Sequence, residues 1–250
     1  MSALATRVIA RLDVKPTLGV VKGVRMEGLR VVGDPHTLAL RYADQGADEI
    51  LYLDVTASLY GRPAIHELVT RTARDVYVPL TVGGGIRTVA DVRRLLRAGA
   101  DKVAINTAAL ERPVFITELA KTFGSQALVV SVEIRAMHGS WDAYTNTGRD
   151  SARRALDWCI EAVERGAGEL LVTSVDRDGT QQGLDLEFMA TLSVVQVPVV
   201  LAGGFGDPDD AARAVTAGAD AVAIGAWLHA GGRIQDVKDA LAQAGREVRR

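Results

Sequence analysis

The chain has 250 residues, 48% of them hydrophobic and 24% charged, with a formal net charge of −2. That apolar share supports a packed core and excludes a disordered chain, and a near-neutral balance without a dense basic block excludes a nucleic-acid partner. The single cysteine, Cys159, cannot form an internal disulfide; no apolar run reaches the roughly 20 residues of a membrane span, and the first residues lack a signal peptide's apolar stretch, so the expected location is cytoplasmic.

Along the chain, short β-branched runs alternate with amphipathic segments. The expected strands are Val8–Asp13, Glu49–Asp54, Val76–Val82, Lys102–Asn106, Ala127–Glu133, Glu169–Ser174, Val197–Ala202 and Ala221–Gly225. Helical periodicity lies between them, as in Pro35–Gln45, Val89–Ala98, Arg153–Arg165 and Pro208–Ala217. Gly46, Gly99, Gly166 and Gly218 stand where a left-handed helix cap is expected. Eight strands alternating with helices imply a parallel sheet closed into an α/β (β/α)8 TIM barrel.

The chain also repeats itself. Gln45-Gly-Ala-Asp-Glu returns as Arg165-Gly-Ala-Gly-Glu, an offset of 165 − 45 = 120. Ala98-Gly-Ala-Asp-Lys-Val-Ala-Ile-Asn returns as Ala217-Gly-Ala-Asp-Ala-Val-Ala-Ile-Gly, an offset of 217 − 98 = 119. Pro79-Leu-Thr-Val-Gly-Gly-Gly likewise returns at Pro198. Three strings in one order at one spacing indicate two joined half-barrels, about 1–122 and 123–250, within one domain spanning 1–250.

Barrel active sites form at the C-terminal ends of the strands. Asp13 and Glu133 end the first and fifth expected strands, and 133 − 13 = 120, so the repeat sets them across the mouth from each other. Two opposed carboxylates suit proton shuffling, one as acid and one as base. Gly83-Gly84-Gly85 follows a buried strand and precedes a helix, where free backbone N–H groups can cradle an anion. Asn106 and Thr107 add side-chain donors, and Gly203-Gly204 and Gly225-Ala226 match these places in the other half. The pair of sites points to a substrate phosphorylated at both ends.

These residues resemble a known family. Ala10-Arg11-Leu12-Asp13-Val14-Lys15, Val21-Lys22-Gly23, Thr81-Val82-Gly83-Gly84-Gly85-Ile86, Ile105-Asn106-Thr107-Ala108-Ala109 and Thr173-Ser174-Val175-Asp176-Arg177-Asp178-Gly179-Thr180 are similar to the cyclase family of imidazole glycerol phosphate synthases. The resemblance runs to about Trp227. It implies that ammonia from a separate glutaminase adds to the ketose carbonyl of a phosphoribulosyl aminoimidazole carboxamide nucleotide (PRFAR). Elimination and ring closure then yield imidazole glycerol phosphate and an aminoimidazole carboxamide ribotide. The implied catalytic residues are Asp13, Glu133 and the loop lysine Lys22. Gly84, Gly85, Asn106 and Thr107 would hold one phosphate; Asp178, Gly179, Gly204, Gly225 and Ala226 would surround the other. Arg7, Glu49, Lys102 and Glu169, at strand starts, would gate ammonia entering from the glutaminase at the N-terminal face. The resemblance implies no metal or organic cofactor.

The chain departs from the family at four places. Glu133 replaces an aspartate, Ala202 and Ala226 replace serines at the second phosphate site, and Arg11 replaces a small residue. Without the hydroxyls the second site is expected to be the weaker one. Arg11 lies two residues before Asp13 and so points into the barrel, with Glu133 its expected partner. These departures leave open two further readings, a paralogue using ammonia on a different phosphorylated or sugar substrate and a silent ligand-binding barrel.

Overall fold

The computed structural model describes residues 5–57, 65–145 and 148–249. β1 (Arg7–Lys15), β4 (Glu49–Asp54), β5 (Leu80–Gly83), β6 (Lys102–Ile105), β7 (Leu128–Met137), β10 (Glu169–Ser174), β11 (Val199–Ala202) and β12 (Ala221–Ile224) pair in parallel in that order. β12 pairs with β1 and β7 with β10, so the ring of eight closes. Near-continuous apolar runs form these strands because helices cover the outer face while side chains fill the bore. The helices include α1 (Pro35–Asp44), α2 (His66–Asp75), α3 (Val89–Ala98), α4 (Thr107–Glu111), α5 (Val114–Phe123), α6 (Ala155–Glu164), α7 (Leu186–Thr191), α8 (Asp209–Thr216), α9 (Ala226–His229) and α10 (Ile234–Gln243). Among the described residues no helix is long and apolar enough to cross a membrane.

The glycine stops behave as expected: Gly46, Gly99, Gly166 and Gly218 all have φ between 90° and 109°. The third barrel strand is shorter than the run Val76–Val82 implies. Val76 caps α2 instead, and the chain enters the sheet only after Pro79, whose carbonyl accepts the Ile50 N–H at 2.9 Å.

Two antiparallel ribbons were not expected. β1 and β7 run past Asp13 and Glu133 and fold back as β2 (Gly19–Val24) with β3 (Glu27–Gly33), and as β8 (Ser140–Thr145) with β9 (Asp150–Arg154). Met137 and Ser140 pair across a two-residue turn in which His138 and Gly139 both have positive φ, matching the ribbon's twist. Each ribbon rises from the C-terminal end of an equivalent strand, so each stands over the barrel mouth.

The bore is layered. Ile9, Leu51, Ala104, Val129, Leu171, Val200 and Ala221 belong to one buried apolar cluster inside the ring. Below it lie the charged strand starts and above it Arg11, Asp13 and Glu133, a vertical order set by the two-residue period of the strands.

Candidate active site

Asp13 and Arg11 share one face of β1 and are both almost fully buried. Arg11 Nε–H donates to Asp13 Oδ1 at 2.8 Å, and its Nη1 reaches across the bore to Thr173 Oγ1 on β10 at 3.1 Å. Lys22, carried by β2, donates to Asp13 Oδ2 at 2.8 Å and to both carboxylate oxygens of Asp178 at 2.9 Å. A close approach puts Lys22 there. Gly179, with φ of +74°, lies so near Gly23 that an added Cβ would come within 2.0 Å of the Gly23 carbonyl oxygen. The Arg25 N–H then donates to the Asp178 carbonyl at 2.7 Å, tying the ribbon to the loop after β10.

The expected Arg11–Glu133 pair does not form. Residues i and i+2 of a strand share a face, so Asp13 is in reach first, and Arg11 Nη1 lies 4.0 Å from Asp178. Glu133 only feels the guanidinium's field. Burial by itself would raise the Asp13 carboxyl, but Arg11 and Lys22 outweigh it and hold the group well below the usual carboxylate range.

Glu133 has the opposite environment. Burial pushes its carboxyl up to about 7; the Arg11 charge and contacts from the Gly148 backbone and Asn106 act the other way without offsetting it. Its Oε2 is buried with no hydrogen-bond partner, and so is Oδ1 of neighbouring Asn106, whose Nδ2 donates to the Tyr144 carbonyl at 3.2 Å. Two acceptors without a donor favour a proton on the carboxyl. The same carboxylic function, at equivalent positions in the repeat, is thus driven in opposite directions.

Asp13, Lys22 and Glu133 face one cleft of about 330 Å3. Gly84, Gly85, Asn106 and Thr107 line it, as expected, on the first-half side. On the other side Asp178, Gly179, Gly204, Gly225 and Ala226 surround a separate crevice of only about 10 Å3. Ala202 faces the bore within the apolar cluster. Trp227 is not among the residues lining the crevice; its ring packs edge-on with that of Phe205, ring centroids 5.5 Å apart.

At the opposite end of the bore, the four charged strand starts close into a ring. Arg7 bonds Glu49 at 3.0 Å and also Glu169; Lys102 bonds Glu49 at 2.8 Å and Glu169 at 2.6 Å. The free Glu49 oxygen accepts from Thr81 at 2.5 Å. Removing Glu49 leaves Arg7 and Lys102 sharing Glu169 alone, so Glu49→Ala should lower unfolding stability by about 1–3 kcal/mol, the cost of losing charged hydrogen bonds. Denaturant titration checks this, and an unchanged midpoint would mean the ring is solvated.

Arg149, Asp54 and His229 escaped sequence reasoning. Arg149 and Asp54 line the main cleft. Asp54 Oδ1 accepts from Thr56 and Ala57 at 2.9 Å, while its Oδ2 is buried without a partner. Asp54 was legible only as a strand end, and Arg149 lies in the connection between β8 and β9 of the unexpected second ribbon. His229, behind Gly225, bonds Tyr42 at 2.8 Å; no spacing in the sequence links those two residues.

Comparison with known proteins agrees with this geometry. The model of the histidine biosynthesis protein family matches residues 7–233. The imidazole glycerol phosphate synthase subunit HisF of Micrococcus luteus is 50% identical, over 99% of this chain and 100% of that protein. The subunit of the same name from Gluconacetobacter diazotrophicus is 50% identical over 98% of this chain and 96% of its own length. The Nocardioides subunit is 49% identical over 98% and 99% respectively.

Proposed function

The chain belongs to the histidine biosynthesis protein family, and from that membership we propose that it is the cyclase subunit of an imidazole glycerol phosphate synthase. In this reading ammonia from a glutaminase adds to the ketose carbonyl of PRFAR, and ring closure releases imidazole glycerol phosphate and the aminoimidazole carboxamide ribotide. The observation that carries it is the pair of repeat-equivalent carboxyl groups on one cleft, Asp13 held ionised and Glu133 held towards its neutral form.

Those states assign the roles. As ammonia forms its C–N bond to the carbonyl carbon, the carbonyl oxygen takes a proton from neutral Glu133, and Asp13 accepts the proton shed by nitrogen. Loss of water gives an imine, and the two groups exchange roles as the ring closes and the ribotide leaves. Lys22, balanced between Asp13 and Asp178, closes the β2–β3 ribbon over the reacting atoms. Gly84, Gly85, Asn106 and Thr107 hold one phosphate, with Gly179, Gly204, Gly225 and Ala226 around the other. The glutaminase docks at the N-terminal face of the barrel, where the Arg7–Glu49–Lys102–Glu169 ring admits ammonia in the cytoplasm. The shared network of Asp13, Lys22 and Asp178 speaks against a silent barrel.

The test is direct assay of the purified chain with PRFAR and an ammonium salt at mildly alkaline pH, following both products. Stoichiometric formation of the two without any partner is expected. No turnover of PRFAR by folded protein at high free ammonia would overturn the reading.

A further inference from the structure

The crevice among the loops after β10, β11 and β12 has room for about one water. Gly204 allows this narrowness: its φ is +103°, and a Cβ there would lie 2.2 Å from the Gly183 carbonyl oxygen. Its apolar lining side chains are Phe205, Ala223 and Ala226, and among the described residues no hydroxyl lines it. Its polar side chains are Arg11, Lys22 and Asp178. His229, behind Gly225, adds no charge, because burial pushes its pKa down to about 4.

Donor counting separates the two cations. The three N–H groups of Lys22 have Asp13 Oδ2 and both oxygens of Asp178 as acceptors. Asp13 and Thr173 take only two of the five donors of Arg11. The guanidinium is nevertheless desolvated, with Arg11 only 4% exposed, and it lines both the main cleft and the crevice. A planar fork with donors in reserve, set between the two cavities, matches the oxygen geometry of a phosphate or carboxylate.

We propose that Arg11 is the anion anchor of the second half of the barrel, gripping the anionic group at that end of the substrate where the crevice offers no hydroxyl. The proposal rests on the reading that the substrate carries an anion at each end. A phosphate exceeds the present crevice, so seating it requires the Lys22 ammonium to swing from Asp178 to the incoming anion. Arg11 thereby sets specificity, while its bond to Asp13 positions the base.

Calorimetric titration of the full chain with inorganic phosphate tests this. Wild type should show two sites. Arg11→Met, which keeps the volume of the side chain, should weaken one about 10- to 100-fold, as loss of a charged hydrogen bond predicts. The site beside Gly85 and Asn106 should be untouched. Arg11→Lys, which keeps the charge and the pairing with Asp13 but loses the fork, should fall between. Adding Ala226→Ser to Arg11→Met should recover part of the affinity by restoring a hydroxyl. Two sites of unchanged affinity in Arg11→Met, or a single wild-type site indifferent to Arg11, overturns the proposal. With PRFAR, Arg11→Met should raise KM about 10- to 100-fold. A fall in kcat at constant KM, with no rescue by Ala226→Ser, would reduce Arg11 to a positioning residue. If wild type fails to turn over PRFAR, the cyclase reading fails, and the phosphate titration still decides the anchor.

Discussion

Asp13→Asn should lower kcat with saturating ammonium about 100- to 10,000-fold, the range for removing a positioned proton-transfer group. The amide has nearly the carboxylate's volume but cannot take a proton from nitrogen. Substrate affinity should change far less, because Asp13 carries a negative charge and itself holds no phosphate oxygen. The variant also removes the anion to which Arg11 and Lys22 are bonded, at 2.8 Å each. Asp178 remains to Lys22 at 2.9 Å and to Arg11 at 4.0 Å, so the chain should fold with a stability loss of about 3 kcal/mol. Steady-state kinetics beside a denaturant titration separates the two effects. Activity near wild type would remove Asp13 from the chemistry, and an unchanged melt would show that the bonded array contributes no net stability.

Glu133→Gln should lower kcat about 100-fold or more and abolish one limb of the pH profile. With Glu133 as the acid, the wild-type rate per free ammonia falls about tenfold per unit above pH 7. At fixed total ammonium, rising free ammonia offsets that fall below ammonium's own pKa, leaving a raw-rate plateau that Glu133→Gln replaces with a continued rise. A normalised rate that climbs through pH 7 would make Glu133 the base.

Stability should move the other way. The folded-state pKa, about 7, exceeds the ordinary value of 4.5, so wild type loses stability as pH rises from 4.5 through 7. Glutamine does not titrate. Glu133→Gln should therefore match wild type near pH 4 and exceed it by up to about 3 kcal/mol at pH 8. Equal melting curves at both pH values would contradict a raised pKa.

The repeat carried most of what was legible in the sequence. Equivalent strings at offsets of 119 and 120 located the strands, and strand-end placement at Asp13 and Glu133 brought both to the cleft. The two ribbons were not legible because their alternation is poor. β3 is exposed over most of its length, and the Arg25-Met26 turn reaches positive φ without glycine or asparagine, so no turn signal marks it. Only His138-Gly139 hinted at the second hairpin. The partner of Arg11 was legible in principle. The same two-residue period that places it inside the barrel also places Asp13 beside it, and a neighbour on one strand outcompetes a carboxyl four strands away around the ring. The imbalance between cleft and crevice lay beyond sequence, since the glycines that mark both sites are the same kind of residue. What differs is how closely Gly183 and Gly23 approach the second set.

One fold drives two repeat-equivalent carboxyl groups in opposite directions, Asp13 below the usual carboxylate range and Glu133 up to about 7. Carbon-13 NMR titration of side-chain carboxyls reads this most directly, with the Asp13 and Glu133 signals assigned from Asp13→Asn and Glu133→Gln. A Glu133 midpoint near pH 7 is expected, with an Asp13 signal that stays ionised throughout the range in which ordinary carboxylates titrate. Midpoints for both groups between about pH 4 and 5, as for unperturbed carboxyls, would contradict it.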